Sequence, residues 1–282
     1  MDANAKLHNG VTMPTIALGG FSVSDEETGP TVRTAINAGY RAVDTAPPYG
    51  NEAAFGRAIA ANIADGVVSR ADLFVITKLW NAEHDYDRAL RAYDQSLRTL
   101  GLDYVDLYLI HWPIPAQDKY VDAWKALVAL HDDQRVRAVG VSNFTVAHLR
   151  RLIDETGIVP TVNQVELTLA LQQPELRAFH AEHGIVTQAY SPLGQGGSLS
   201  DPVLGEIAAK HGRSPAQVVL RWHLQVGNTV IPRSTKPDHI AANIDLFGFE
   251  LDTADLTRLA GLDAGTRTGP DPDEFNYAEP LG

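Results

Sequence analysis

Four side chains of different type stand at or just past apolar segments of the chain: Asp44, Tyr49, Lys78 and His111. Taken singly, each has a plain explanation: Asp44 as a strand-end cap, Tyr49 as a loop aromatic, Lys78 as a surface lysine, His111 as a hydrogen-bonded core histidine. Taken together they suit one task. A tyrosine of pKa ~10 is a poor acid at neutral pH, but an adjacent ammonium stabilises its phenolate and draws the proton toward release. Lys78 would supply that ammonium, and Asp44 would keep it charged in a low-dielectric site. His111 would hydrogen-bond a carbonyl oxygen beside Tyr49. This is general-acid chemistry for reducing a C=O bond, and the hydride must come from outside the chain, because no side chain supplies one.

The elements that must position these groups follow a repeating pattern. Short apolar segments at 16–19, 41–44, 73–77, 105–110, 138–141, 162–165, 186–189 and 229–231 alternate with longer amphipathic ones, which predicts βα units and a parallel sheet. The nearly all-apolar strands predict burial on both faces. Ser24 through Glu27 has capping-box spacing, and Ser214 precedes a proline at a first helical position. Gly39, Gly101, Gly157 and Gly184 stand where left-handed helix caps belong. Eight units in 282 residues match the spacing of a (β/α)8 (TIM) barrel, an α/β fold whose catalytic groups stand at the C-terminal ends of the strands. The alternative, an open doubly wound sheet, lacks its Gly-x-Gly-x-x-Gly after the first strand. No segment has the composition of a linker, so one domain over residues 1–282 is expected.

Composition narrows the function classes. The chain has no cysteine and a formal charge of -12. These values exclude thiolate metal sites and a cysteine nucleophile, suit a cytoplasmic protein, and disfavour nucleic-acid binding. The opening residues predict no signal peptide, and apolar runs of about six residues fall far short of a ~20-residue membrane span. His180 and His183, without a His-Glu-x-x-His pattern, are expected on a solvated helix end, and no metal is expected.

The segments GYRAVDTAPPYGNEAAFGRAI, LRTLGLDYVDLYLIHWP and VIPRSTKPDHIAANI, with TKLWN and GVSNF between them, resemble the signatures of the aldo-keto reductase family. The style is that of bacterial-type, 2,5-diketo-D-gluconate reductase-like members. The resemblance covers essentially the whole chain. It implies a barrel with an N-terminal β-hairpin and a C-terminal substrate loop, the catalytic set Asp44, Tyr49, Lys78 and His111, and NADPH as cofactor. By the same resemblance Ser142, Asn143 and Gln164 would bind the nicotinamide carboxamide, with Tyr190 stacked on the ring. Ser142 and Asn143 have another reading, as caps of the helix starting near Thr145. The glycine-rich octapeptide 191–198 would surround the diphosphate through Ser191, Leu193 and Gln195.

At the adenosine end the resemblance implies Arg233, Ser234, Lys236, His239 and Asn243. Here the chain departs from the family, with Arg233 replacing the usual lysine and His239 the usual arginine. A histidine is mostly neutral above pH ~7, so NADPH preference with weaker NADH use is expected. Phe21, Trp80, His111 and Trp112 would line the substrate pocket, and the tail 265–282, with Phe275 and Tyr277, would close over it. The expected activity is reduction of small aldehydes, dicarbonyls and keto-sugars by a monomeric enzyme. The rivals are a catalytically weak regulatory barrel of the same family, and a metal-dependent hydrolase or lyase using Asp44 and His111 as ligands.

Overall fold

A computed structural model describes residues 3–197 and 199–280; Ser198, which ends the glycine-rich octapeptide, and the last two residues of the tail lie outside the described residues. The chain opens with the expected hairpin, β1 (Asn4–Lys6) paired antiparallel with β2 (Thr12–Pro14). Eight parallel strands follow, β3 (Leu18–Gly19), β4 (Ala42–Asp44), β5 (Phe74–Leu79), β6 (Leu107–Ile110), β7 (Ala138–Ser142), β8 (Val162–Glu166), β9 (Val186–Tyr190) and β10 (Thr229–Ile231), each beside its predecessor in sequence. A parallel bridge between Ile16 and Val230 joins last to first. The Ala17 amide donates to the Val230 carbonyl at 2.9 Å, and the Val230 amide to the Thr15 carbonyl at 2.9 Å. The sheet is thus a (β/α)8 barrel.

Around it lie α1 (Asp25–Ala38), α2 (Glu52–Ala64), α3 (Tyr86–Leu100), α4 (Tyr120–Asp132), α5 (Val146–Thr156) and α6 (Pro174–His183). Two helices follow β9, α7 (Pro202–His211) and α8 (Pro215–Gln225), and two follow β10, α9 (Pro237–Ile244) and α10 (Thr253–Ala260). The expected capping box forms at Ser24, Ser214 caps α8 ahead of Pro215 and also closes a capping box, and the four glycines end their helices at positive φ.

Successive side chains of a strand alternate between the barrel interior and the surrounding helices. Ala42, Phe74, Ile76, Leu107, Leu109, Ala138, Val162 and Ile231 form the inner core, closed at the hairpin end by Leu7 and Met13. The same parity carries Asp44, Lys78, Gln164 and Gln188 inward above those residues. Four strands, β5, β7, β8 and β9, run past their expected C-terminal limits: β5 runs through Lys78 and Leu79, which pair with Leu109 and Ile110, so Lys78 is a strand residue rather than the first residue after one. A lysine reads as a strand end in sequence, yet backbone pairing is indifferent to it when an acidic partner waits inside. His180 also departs from expectation. Its ring is buried, bonded to Asn163 Nδ2 at 3.0 Å and Thr187 Oγ1 at 2.8 Å, and burial pushes its pKa down to about 3. His183 stacks on Phe179, with ring centroids 4.0 Å apart.

Candidate active site

The floor of the site is an ion pair. Lys78 Nζ, wholly inaccessible to solvent, donates to Asp44 Oδ1 at 2.7 Å and to the Thr45 carbonyl at 3.0 Å. Burial lowers the lysine pKa and the Asp44 carboxylate opposes that shift. Asp44 Oδ2 accepts from Gln164 Nε2 at 2.9 Å.

Tyr49 is placed by the loop after β4. Pro47 and Pro48 preset φ for the single helical turn Pro47–Tyr49, and Gly50, at φ +72°, ends it in a conformation that favours glycine. Asn51 bolts this loop to the one after β3: its buried Nδ2 donates to the carbonyls of Gly20 and Val23, each at 2.8 Å, and its Oδ1 accepts from Thr45 Oγ1 at 2.9 Å. Gly20 is required there, because a Cβ would stand 2.7 Å from the Asp44 carbonyl oxygen. The Lys78 ammonium then lies 5.0 Å from the Tyr49 ring centroid.

Tyr49 itself sits in surroundings that hold its proton. Burial, reinforced by the Asp44 charge, raises its pKa well above 10. The phenol therefore rests fully protonated. His111 follows β6, its ring 5.7 Å from that of Tyr49 and 5.5 Å from that of Trp80. Burial, and then the Lys78 charge, push its pKa well below 6.5, so it is a neutral hydrogen-bonding group.

A cleft of about 830 Å³ opens over these groups and reaches Arg233. Phe21, Trp80 and Trp112 line its catalytic end. Phe21, 62% exposed, sits edge-on to Tyr49 at 5.3 Å. The tail closes this end as expected: the Phe275 ring lies 4.3 Å from Trp112, Trp80 Nε1 donates to the Glu279 carbonyl at 2.8 Å, and Asn81 Nδ2 to that of Tyr277 at 2.8 Å.

Ser142, Asn143, Gln164, Tyr190, Ser191, Leu193 and Gln195 also line the cleft. Ser142 and Asn143 do not cap α5; Thr145 does, in a capping box with His148. Asn143 Nδ2 donates to the His111 carbonyl at 3.0 Å and to Ser142 Oγ at 3.1 Å, and Tyr190 Oη donates to Asn143 Oδ1 at 2.8 Å. The donors here are spent, whereas Gln164 Oε1 accepts nothing among the described residues.

At the far end Arg233, Lys236 and His239 are exposed, Ser234 half-buried and Asn243 buried. Of these only Arg233 lines the cleft. No carboxylate engages Arg233 or Lys236 among the described residues.

Two residues were missed from sequence. Glu166, buried at the end of β8, accepts from the Thr268 amide at 2.7 Å, Thr268 Oγ1 at 2.6 Å and the Gly269 amide at 3.0 Å, fixing the tail where it lines the cleft. Gln188, inside β9, accepts from Gln164 Nε2 at 2.9 Å. Each left a signal: a polar side chain at an inward position of a buried strand, in VNQVE and VTQAY.

The fold and the site together define a barrel oxidoreductase, and comparison with known proteins agrees. The model of the Aldo/keto reductase family matches residues 12–264. An aldo-keto reductase of Mycolicibacterium smegmatis is 51% identical over 277 residues, covering 98% of this chain and 99% of its own. The methylglyoxal reductase DkgA of Salmonella typhimurium is 47% identical, covering 96% and 97%. A mutant of Gox0644 solved in complex with NADPH superposes with a TM-score of 0.93 at 46% identity, covering 98% and 100%. The chain belongs to the aldo/keto reductase family and is an NAD(P)H-dependent oxidoreductase.

Proposed function

We propose that this chain reduces small aldehydes, dicarbonyls such as methylglyoxal and keto-sugars to alcohols, with NADPH as reductant and Tyr49 as proton donor. The observation that carries the reading is the convergence of Tyr49, His111 and the Lys78–Asp44 pair on one cleft. When bound, the nicotinamide supplies the hydride equivalent to the carbonyl carbon. Tyr49 hands its proton to the carbonyl oxygen as negative charge develops there, and the Lys78 ammonium stabilises the phenolate left behind. His111, neutral, holds the carbonyl oxygen by a hydrogen bond.

Gln164, Ser142 and Asn143 orient the carboxamide, and Tyr190 packs on the ring. Ser191, Leu193 and Gln195 surround the diphosphate. Arg233 and Lys236, unspent on carboxylates, hold the 2′-phosphate with Ser234, His239 and Asn243; a guanidinium suits a phosphate in bidentate fashion. With a histidine at position 239 in place of the family's arginine, NADH is used to a smaller extent. The NADPH complex of the Gox0644 mutant and the name of the Salmonella relative support the cofactor and the dicarbonyl class.

The aromatic catalytic end excludes water from the reaction. The only Lys or Arg among the lining residues, Arg233, lies at the other end, which favours neutral carbonyl compounds. The test is to mix the protein with NADPH and phenylglyoxal and follow absorbance of the reduced nicotinamide. Consumption by wild type and its loss by at least ~100-fold in Tyr49→Phe are expected; equal rates would remove Tyr49 from the role.

A further inference from the structure

The buried polar residues at the centre of the barrel form a row with a direction. Asp44, paired with Lys78, is an acceptor only, so the Gln164 side chain turns its NH2 toward Asp44 Oδ2, 2.9 Å away. The second N–H of that group meets Gln188 at 2.9 Å, and this dictates that Gln188 present its Oε1. The Gln188 NH2 is left facing Met13 Sδ at 3.8 Å, a weak acceptor on the hairpin that floors the barrel. Gln164 and Gln188 are register partners on β8 and β9, and Gln188 is wholly buried. Reversing either amide would set oxygen against oxygen or NH2 against NH2, so each amide fixes the next. What remains is Gln164 Oε1, an acceptor on a side chain that lines the cleft.

From this arrangement we infer that Gln188, a residue with no access to the cleft, is a positioning residue for cofactor recognition: it locks Gln164 so that Oε1 faces the cleft as an acceptor for the NH2 of the nicotinamide carboxamide. The inference rests on the reading of Gln164 as a carboxamide contact. Without an acceptor at position 188, one buried N–H of Gln164 loses its partner. Held by Asp44 Oδ2 alone, the amide then gains by tilting about that one remaining bond to seek another partner, and its acceptor no longer holds one place.

The test separates this role from a general contribution to the fold by using a ligand that lacks the group being read. In 3-acetylpyridine adenine dinucleotide phosphate a methyl ketone replaces the carboxamide. Dissociation constants for NADP+ and for this analogue, from quenching of tryptophan fluorescence, give a discrimination ratio. One hydrogen bond of this kind sets that ratio at roughly 10-fold in favour of NADP+ in wild type. In Gln188→Leu, and in Gln188→Met should leucine not be tolerated in the core, the ratio collapses to within about 2-fold. Gln188→Glu, which keeps an acceptor oxygen, preserves it. A variant that merely loosens the barrel weakens both ligands by one factor and leaves the ratio at its wild-type value, a result that overturns the inference. Wild type that binds both ligands equally also overturns it while leaving the cofactor site intact, whereas wild type that binds neither overturns the cofactor reading and this inference together.

Discussion

The two ends of the cleft are built on opposite principles. At the catalytic end the polar groups sit on strands or in the loops directly after them, are largely shut away from water, and are mostly spent on one another: Lys78 on Asp44, Asp44 on Gln164, Asn143 on His111 and Ser142. At the adenosine end Arg233, Lys236 and His239 stand in solvent on the loop and first turn of α9, and Arg233 and Lys236 have no carboxylate partner. A charge that must act on a reacting atom is held in place before substrate arrives, since preorganisation is what makes it effective. A charge that only has to hold a phosphate can wait in water until the phosphate comes. Damage at the catalytic end should therefore appear in turnover and stability, and damage at the adenosine end in affinity.

The largest expected effect breaks the catalytic end directly. Tyr49→Phe removes the proposed proton donor and should lower kcat by two or more orders of magnitude, as general acids contribute ~100-fold to ~10,000-fold. Next comes Asp44→Asn, which strands Lys78 in a site that burial already disfavours for an ammonium. Loss of one partner of a buried pair costs on the order of 3 kcal/mol. Both the midpoint of denaturant unfolding and kcat should fall; an unchanged midpoint would mean that the pair carries no structural weight.

Acid should unpick the buried half selectively. His84, His180 and His223 are held neutral by burial, with pKa values lowered to about 4, 3 and 3, and His111 is depressed as well. In the unfolded chain these rings titrate near ~6.5. Between the folded and unfolded values the unfolded state binds more protons, so stability rises with pH in that window. Their contribution is fully present above pH ~6.5 and is lost as pH falls toward ~4. The melting temperature should drop across that range, and a flat profile between pH ~7 and ~5 would contradict the burial assigned to these rings.

The smaller effects belong to the adenosine end. Arg233→Ala should raise the Kd for NADPH by roughly 10-fold or more, as charge-assisted hydrogen bonds are worth ~1.5–3 kcal/mol, and should leave the Kd for NADH nearly unchanged. Smallest is His239→Arg. Exposed ion pairs contribute ~0.2–1 kcal/mol, so the NADPH over NADH ratio of kcat/KM should widen by only about 2-fold to 5-fold. A ratio that narrows would remove position 239 from the phosphate site.

The same contrast explains what could be read from sequence. Asp44, Lys78 and His111 were visible because strand periodicity announces which side chains face inward, and a charged residue on an apolar inward row stands out. The barrel itself was visible from eight repeats of one pattern. Strand ends were not, since Lys78 reads as a terminus while its backbone stays paired with Leu109. Gln188 and Glu166 were missed because a single uncharged amide, or a carboxylate at the end of a strand, gives no hint of its partner; those partners lie 24 residues away at Gln164 and 102 residues away at Thr268. The resting state of Tyr49 was not legible for a related reason: the burial that raises its pKa is a property of the assembled barrel.

The central claim is that chemistry and cofactor affinity are separable along this cleft, and single-turnover reduction of phenylglyoxal by NADPH in stopped flow, with the Kd measured alongside for Tyr49→Phe and Arg233→Ala, tests it most directly. The account predicts that Tyr49→Phe binds NADPH within about 2-fold of wild type and loses hydride transfer by ~100-fold or more, while Arg233→Ala binds roughly 10-fold more weakly and, once saturated, transfers hydride at the wild-type rate. A saturated Arg233→Ala as slow as Tyr49→Phe, or a Tyr49→Phe as fast as wild type, would contradict it.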